Sequence, residues 1–195
     1  MMLNELIKNK NAYWLLLGFM AVAQVVVPSY MIYTSEKTIE QGEVYNFELG
    51  AIDPYDPFRG KYIILNPKEN FLAGYSAPCV DRKLYATFLT DDRGLAQINS
   101  LSTIVPHQSS YLTIDSFTAN TSDLGIAGIV ISYPFEKYFM NEHKAKPAED
   151  LIRKMQRDTS IVTYAQVSIL NGKAQVLRVM GGENDIIDLL NRPVE

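Results

Sequence analysis

Hydrophobic positions along the chain follow two different patterns. From residue 11 to residue 35 no side chain carries a formal charge. The stretch that begins Ala12-Tyr13-Trp14-Leu15-Leu16-Leu17 and continues through Val25-Val26-Val27-Pro28 to Ile32-Tyr33 is almost wholly apolar. About 20 such residues suffice to cross the hydrocarbon core of a bilayer as a helix. Tyr13 and Trp14 mark one end and Tyr30 and Tyr33 the other, as interfacial aromatics do. Pro28 is expected to kink or end the helix near its outer face. Ala21-Val22-Ala23 has the small-residue form of a signal-peptidase site. The apolar run continues well past Ala23, which favours an uncleaved anchor.

Beyond the apolar stretch the period shortens to that of strands. Glu43-Val44-Tyr45-Asn46-Phe47-Glu48-Leu49 alternates polar and apolar, as a half-buried strand does. Lys61-Tyr62-Ile63-Ile64-Leu65 is aromatic and β-branched. Residues 83–90 and 95–99 flank Asp91-Asp92-Arg93-Gly94, a hairpin turn, and residues 109–115 and 125–133 are further strands. Residues 161–170 and 173–179 meet across Asn171-Gly172, the dipeptide that suits a two-residue type I′ turn. Pro147 followed by Ala148-Glu149-Asp150 predicts a helix start. Residues 184–190 predict a short C-terminal helix.

The expected fold is therefore mostly β, an antiparallel sandwich or barrel-like domain with one or two short helices, preceded by a single N-terminal transmembrane helix. The expected organisation is a cytoplasmic N-terminus over residues 1–10, a span over 11–34, a polar stalk over 35–42, and one extracytoplasmic β-rich domain over 43–195. About 160 residues are enough to bury a core.

Charge refines this organisation. The chain of 195 residues has 18 Lys and Arg against 22 Asp and Glu, a net charge of -4. Lys8 and Lys10 less Glu5 give +1 ahead of the span. The span contributes nothing, so the remainder carries -5. Positive residues on the N-terminal side place that side in the cytoplasm. An acidic domain argues against nucleic acid, because phosphate binding needs concentrated Lys and Arg. One cysteine, Cys79, excludes an internal disulfide framework. No metal site or cofactor is expected.

The segment with most candidate chemistry is Asp53-Pro54-Tyr55-Asp56-Pro57-Phe58-Arg59-Gly60-Lys61-Tyr62. Each proline holds its preceding aspartate in an extended or turn conformation, and Asp53, Asp56 and Arg59 are candidates for a charged site at the rim of a sheet. A second block, Tyr133-Pro134-Phe135-Glu136-Lys137-Tyr138-Phe139-Met140-Asn141-Glu142, concentrates aromatics and acids. Glu136, Glu142 and Glu149 suggest a carboxylate pair, against the plainer reading of solvated surface acids.

These blocks resemble the GDYXXLXY family. Arg59, Gly60, Tyr62 and Leu65 match its motif, whereas Lys61 replaces its aspartate and Pro67 its last tyrosine. The segment containing Glu136, Tyr138 and Glu142 resembles the family's second block, and Tyr164-Ala165-Gln166-Val167 with Gly172-Lys173-Ala174 its closing hairpin. The resemblance implies a membrane-anchored bacterial protein and a multi-pass inner-membrane protein as partner. Asp53, Asp56, Arg59, Gly60, Tyr62, Leu65, Glu136, Tyr138 and Glu142 are the candidate functional positions.

Three classes of function compete. The first is a non-enzymatic envelope protein that acts by binding a membrane or envelope partner. A small-ligand or glycan-binding envelope module is the alternative, and an envelope hydrolase using the Asp/Glu cluster is a third. The run from Asp53 to Leu65 superficially resembles signal peptidases, in which a nucleophilic serine stands about eight residues before the glycine; here Ile52 stands at that position, and a Ser–Lys dyad needs a hydroxyl. No catalytic motif is recognisable, and the expectation is a protein of the bacterial inner membrane with its domain in the periplasm.

Overall fold

The computed structural model describes residues 10–50, 62–73, 83–121, 125, 127–158 and 161–191. Helix α1, Lys10–Gln41, opens the described chain. Its 32 residues extend about 48 Å at 1.5 Å per residue, more than the ~30 Å of a hydrocarbon core. It runs through Pro28 without ending, although that residue lacks the amide for one main-chain bond. The Ser29 hydroxyl donates to the Val25 carbonyl, one turn back, at 2.8 Å. Residues 12–41 are long and apolar enough to cross a membrane, and the most apolar window of that stretch is nowhere buried against the rest of the protein.

The residues expected as a stalk are instead the last turns of α1. They pack on the sheet rather than stand clear of it. Thr38 is 2% exposed, its carbonyl accepts the Ser168 hydroxyl at 2.6 Å, and Gln175 Nε2 donates to Ser35 Oγ at 3.1 Å. Polar docking of this kind leaves no apolar stripe in the sequence, which is why the segment reads as a linker.

The strands are β1 Glu43–Glu48, β2 Tyr62–Ile64, β3 Phe71–Ala73, β4 Leu84–Thr90, β5 Ala96–Ser102 and β6 Tyr111–Ile114. They continue with β7 Ser116–Thr121, β8 Ala127–Ser132, β9 Lys137–Phe139, β10 Thr163–Leu170, β11 Lys173–Gly181 and β12 Asn184–Asp185. They form sheets in the orders β1-β10-β11-β12, β2-β9, β3-β8-β7 and β5-β4-β6. Each pair of these strands is antiparallel. The mostly β antiparallel class is thus the observed one. β3, β7, β9 and β12 were not expected as separate strands, and Asn184 and Asp185 were expected in a helix: β3 and β9 are only three residues long and β12 only two, too short to display a period.

The four sheets share one core. In β1 the alternate residues Tyr45 and Phe47, with Leu49 just beyond, are buried, the two-residue period of a strand with one face inward. Phe47 stacks at its edge on Phe88 and Tyr133, with ring centres 5.1 and 5.5 Å away, and lies 4.9 Å from Phe135. These contacts join β1 to β4 and to the end of β8. The β10–β11 turn has Asn171 at φ 48° and Gly172 at φ 83°, the two positive values a type I′ turn requires.

Helix α2, Glu142–Arg157, begins five residues before the expected start at Pro147, which lies inside it. The Asn141 side chain accepts the His143 amide at 3.0 Å and so caps the first turn, which is the work an N-cap residue does. Ala145, Ala148 and Ile152 are buried, the face turned to the core. Helix α3, Ile186–Asn191, is preceded by Asp185, whose carboxylate accepts the Ile187 amide at 2.8 Å.

Candidate functional site

Asp53, Asp56, Arg59 and Gly60 lie outside the described residues. Lys61 lies outside them as well, and the motif is placed from Tyr62 onward. β2 pairs with β9 in the register Tyr62↔Phe139, Ile63↔Tyr138 and Ile64↔Lys137, and the Leu65 amide extends the ladder by donating to the Glu136 carbonyl at 2.7 Å. The two blocks singled out in the sequence, more than 70 residues apart, are therefore neighbouring strands.

Leu65 is the point at which this segment changes partners. Its amide belongs to the β9 side, and the next residues turn to β1. Gly50 donates to the Asn66 carbonyl at 2.7 Å, and Lys68 donates to the Glu48 carbonyl at 2.8 Å. These bonds flank the bridged pair Leu49 and Pro67. In an antiparallel ladder such a pair exchanges no amide bonds of its own. Proline is accordingly accepted at the position where the family motif has tyrosine, and Pro67 is buried there. Leu65 and Ile63 are each 1% exposed. Both serve the core.

The outward face of the pair is aromatic and charged. Tyr62 and Phe139 meet edge to face with ring centres 5.6 Å apart, and the Lys137 ammonium lies 5.0 Å from the centre of the Tyr62 ring. Phe139 is 70% exposed, unusual for a large apolar ring. An open cleft of about 540 Å³ runs beside it, with Asp115, Tyr133, Glu136 and Lys137 on its walls. Tyr138 points the other way. Burial, chiefly, and the charge of Asp185 push its phenol above the ordinary value, while Arg178 opposes them.

Glu136 and Glu142 are both exposed. Glu136 contributes its carbonyl to the ladder, and Glu142 sits in the first turn of α2, where the helix dipole favours an acid. The structure gives each carboxylate a separate setting and no shared partner among the bonds described. Among the described residues no group of three or more His, Cys, Asp or Glu could hold a metal ion.

A charged cluster beside the motif was not apparent from the sequence. Glu48 accepts Lys68 Nζ at 2.8 Å and lies 3.7 Å from Arg93, which in turn pairs with Asp91 at 3.0 Å. Two clefts of about 310 and 420 Å³ meet at Glu48, Lys68 and Arg93. Asp91 accepts the Leu95 and Arg93 amides at 2.8 and 2.9 Å. The Leu95 amide first, and then Arg93, hold its carboxyl below the usual value. Glu69, on the first cleft wall, behaves oppositely. Burial pushes its carboxyl up, the Ile98 amide partly offsets this, and the nearby Asp91 charge adds to it. The cluster ties residues 66–69 to the 91–94 turn and to β1, three segments whose proximity only the fold creates.

An apolar, membrane-length helix continuous with a small antiparallel β domain defines the class of protein. A family model described as GDYXXLXY protein matches residues 24–179, and the chain belongs to that family. Neither a search of curated proteins nor a search of solved structures returned a match.

Proposed function

We propose that this is a membrane-anchored, extracytoplasmic protein that works without catalysis, by holding a partner at its outward aromatic face. The observation that carries this reading is the polarity of the molecule. α1 docks at the start of β1, through Thr38 and Gly42, and the two family blocks meet beyond its other end, at Leu65 and Glu136. Eight residues separate Gly42 from Gly50, roughly 25 Å of strand. The face made by Tyr62, Lys137 and Phe139 is thereby displayed away from the anchor. Exposed aromatics with a neighbouring cation have the composition of an interaction surface.

Two features support an uncleaved anchor over a signal sequence. α1 runs without a break through Ala21-Val22-Ala23, and its last turns are built into the domain. The bacterial inner membrane is the proposed location, with the N-terminus cytoplasmic and the domain periplasmic. The proposed partner is a multi-pass protein of the same membrane, met through its exported portion.

The test joins a topology reporter to Glu195 and recovers the protein in mild detergent. Activity of a periplasm-specific reporter, an intact N-terminus by mass, and a co-purifying membrane protein lost on Phe139→Ala are expected. A reporter active only in the cytoplasm overturns the topology, and purification alone after mild cross-linking overturns the partner. The cleft beside Phe139, with an aromatic ring and the carboxylates of Asp115 and Glu136, favours glycan binding as the second reading. Titration with soluble envelope glycans discriminates the two.

A further inference from the structure

The end of the domain nearest α1 carries a surface that the family motif does not include. The β4–β5 hairpin has its tip against the far end of β1, where Arg93 lies 3.7 Å from Glu48 and Asn46 donates to the Gly94 carbonyl at 3.0 Å. Its open end therefore points back toward the start of β1, the side on which α1 docks. β5 ends there, at Ser102. The chain then runs through residues 103–110 and is fastened by the Asn171 amide, which donates to the Ser109 carbonyl at 2.7 Å. Asn171 belongs to the β10–β11 turn. The residue after that turn, Lys173, holds its ammonium 5.9 Å from the centre of the Tyr30 ring. Tyr30 stands at the outer aromatic level of the apolar stretch. Two independent sets of contacts thus bring the 103–110 loop to the level at which α1 leaves its apolar segment.

The loop's composition suits that level. Thr103-Ile104-Val105-Pro106-His107-Gln108-Ser109-Ser110 contains no Asp, Glu, Lys or Arg. The Ile104 amide is engaged by Ser102 Oγ at 2.9 Å, yet its side chain is 77% exposed and that of Val105 49%. Ile104 and Val105 thus present adjacent aliphatic surface to solvent on a loop without Asp, Glu, Lys or Arg.

We propose that the 103–110 loop is a second membrane contact: a lipid bilayer surface receives Ile104 and Val105 at the boundary between headgroups and acyl chains. The inference rests on the anchored reading above and adds to it a fixed orientation of the domain. Two aliphatic side chains would hold a free domain to lipid only weakly. The helix removes that difficulty, because a tethered second contact is intramolecular and forms at high effective concentration. Gripped at α1 and again at the loop, the domain stands with its aromatic face outward.

The experiment uses the full chain in vesicles of phosphatidylcholine with a minor share of phosphatidylglycerol. On a Cys79→Ser background, single cysteines at Val25, Ile104 and Asp92 carry an environment-sensitive fluorophore, and lipids spin-labelled near the headgroup end of the acyl chain serve as quencher. Expected is a blue-shifted, strongly quenched emission at Ile104, and water-like, unquenched emission at Asp92 on the hairpin tip. Labelling at Ile104 leaves the fold intact because that side chain already faces solvent. If Val25 is quenched and Ile104 is as water-like as Asp92, the loop contact is wrong while the anchor stands. If Val25 is not quenched either, the anchored reading fails and the loop contact fails with it.

Discussion

The hydroxyl of Ser168 donates to the main-chain carbonyl of Thr38 across 2.6 Å, and both residues are buried. This bond couples the C-terminal half of β10 to the last turn of α1. It makes the helix and the domain one body, with no flexible stalk between them. The same carbonyl accepts the Gly42 amide at 3.0 Å, so the exit of the helix and its docking share one acceptor.

Gly42 has no room for a side chain. A Cβ there would fall on Ser168 Oγ and on the Thr38 carbonyl oxygen. Gly42→Ala should cost about 1–3 kcal/mol through displaced neighbours. Ser168→Ala should cost about 1 kcal/mol, because Thr38 keeps the Gly42 amide as donor. Thermal unfolding in detergent gives the ranking, and faster proteolysis between α1 and β1 should accompany Gly42→Ala alone.

The motif positions should separate into core and surface. Ile63→Ala and Leu65→Ala each remove a buried side chain and should destabilise by about 2–5 kcal/mol. Glu136→Ala should stay within about 0.5 kcal/mol, and Glu142→Ala should lose under about 1 kcal/mol of helix-dipole interaction. Equal loss at all four positions, measured by chemical denaturation, would contradict the division.

Gly172 occupies a backbone conformation at φ 83° that other residues adopt at a cost, and a Cβ there would meet Thr113 Oγ1 and come within 3.1 Å of the Tyr111 ring. Gly172→Ala should therefore lose about 2 kcal/mol or more, from the left-handed conformation and from the contact. Hydrogen exchange should accelerate at Thr113, whose amide donates to the Gly172 carbonyl at 3.1 Å.

Glu69 gives the domain a pH dependence of defined sign. Burial raises its folded carboxyl above the ordinary value of 4.5. A raised folded value means that its contribution to stability is full below the unfolded value and is lost as pH rises through the folded one. Glu69→Gln removes that loss, so its stability relative to the natural chain should improve as pH rises from below the ordinary value of 4.5 toward neutral. Asp91, whose carboxyl is lowered, titrates with the opposite sign in both proteins and largely cancels in the comparison. An unfolding series over that range reads the difference directly.

The strands of this domain were legible where the chain itself carries the constraint. Tyr45 and Phe47 alternate with polar residues because one face of β1 is buried, and Asn171-Gly172 encodes a turn through backbone sterics that need no distant partner. The candidate site was legible only as separate blocks. Nothing local in Tyr62-Ile63-Ile64-Leu65 names Lys137-Tyr138-Phe139 as its neighbour, since an antiparallel ladder can pair with any suitable edge.

The sequence by itself determined the apolar helix, the antiparallel β class and the family, because each rests on composition, period or motif along the chain. The tertiary structure decided what those pieces meet. It turned an apparent stalk into a docked helix end. It moved the start of α2 from Pro147 to the cap at Asn141. It gave Leu65 a place in the core, and it assembled Glu48, Lys68, Asp91 and Arg93 from three distant segments. Polar docking, side-chain caps and ion pairs depend on single atoms brought within hydrogen-bond distance, and that proximity exists only once the strands have chosen their partners.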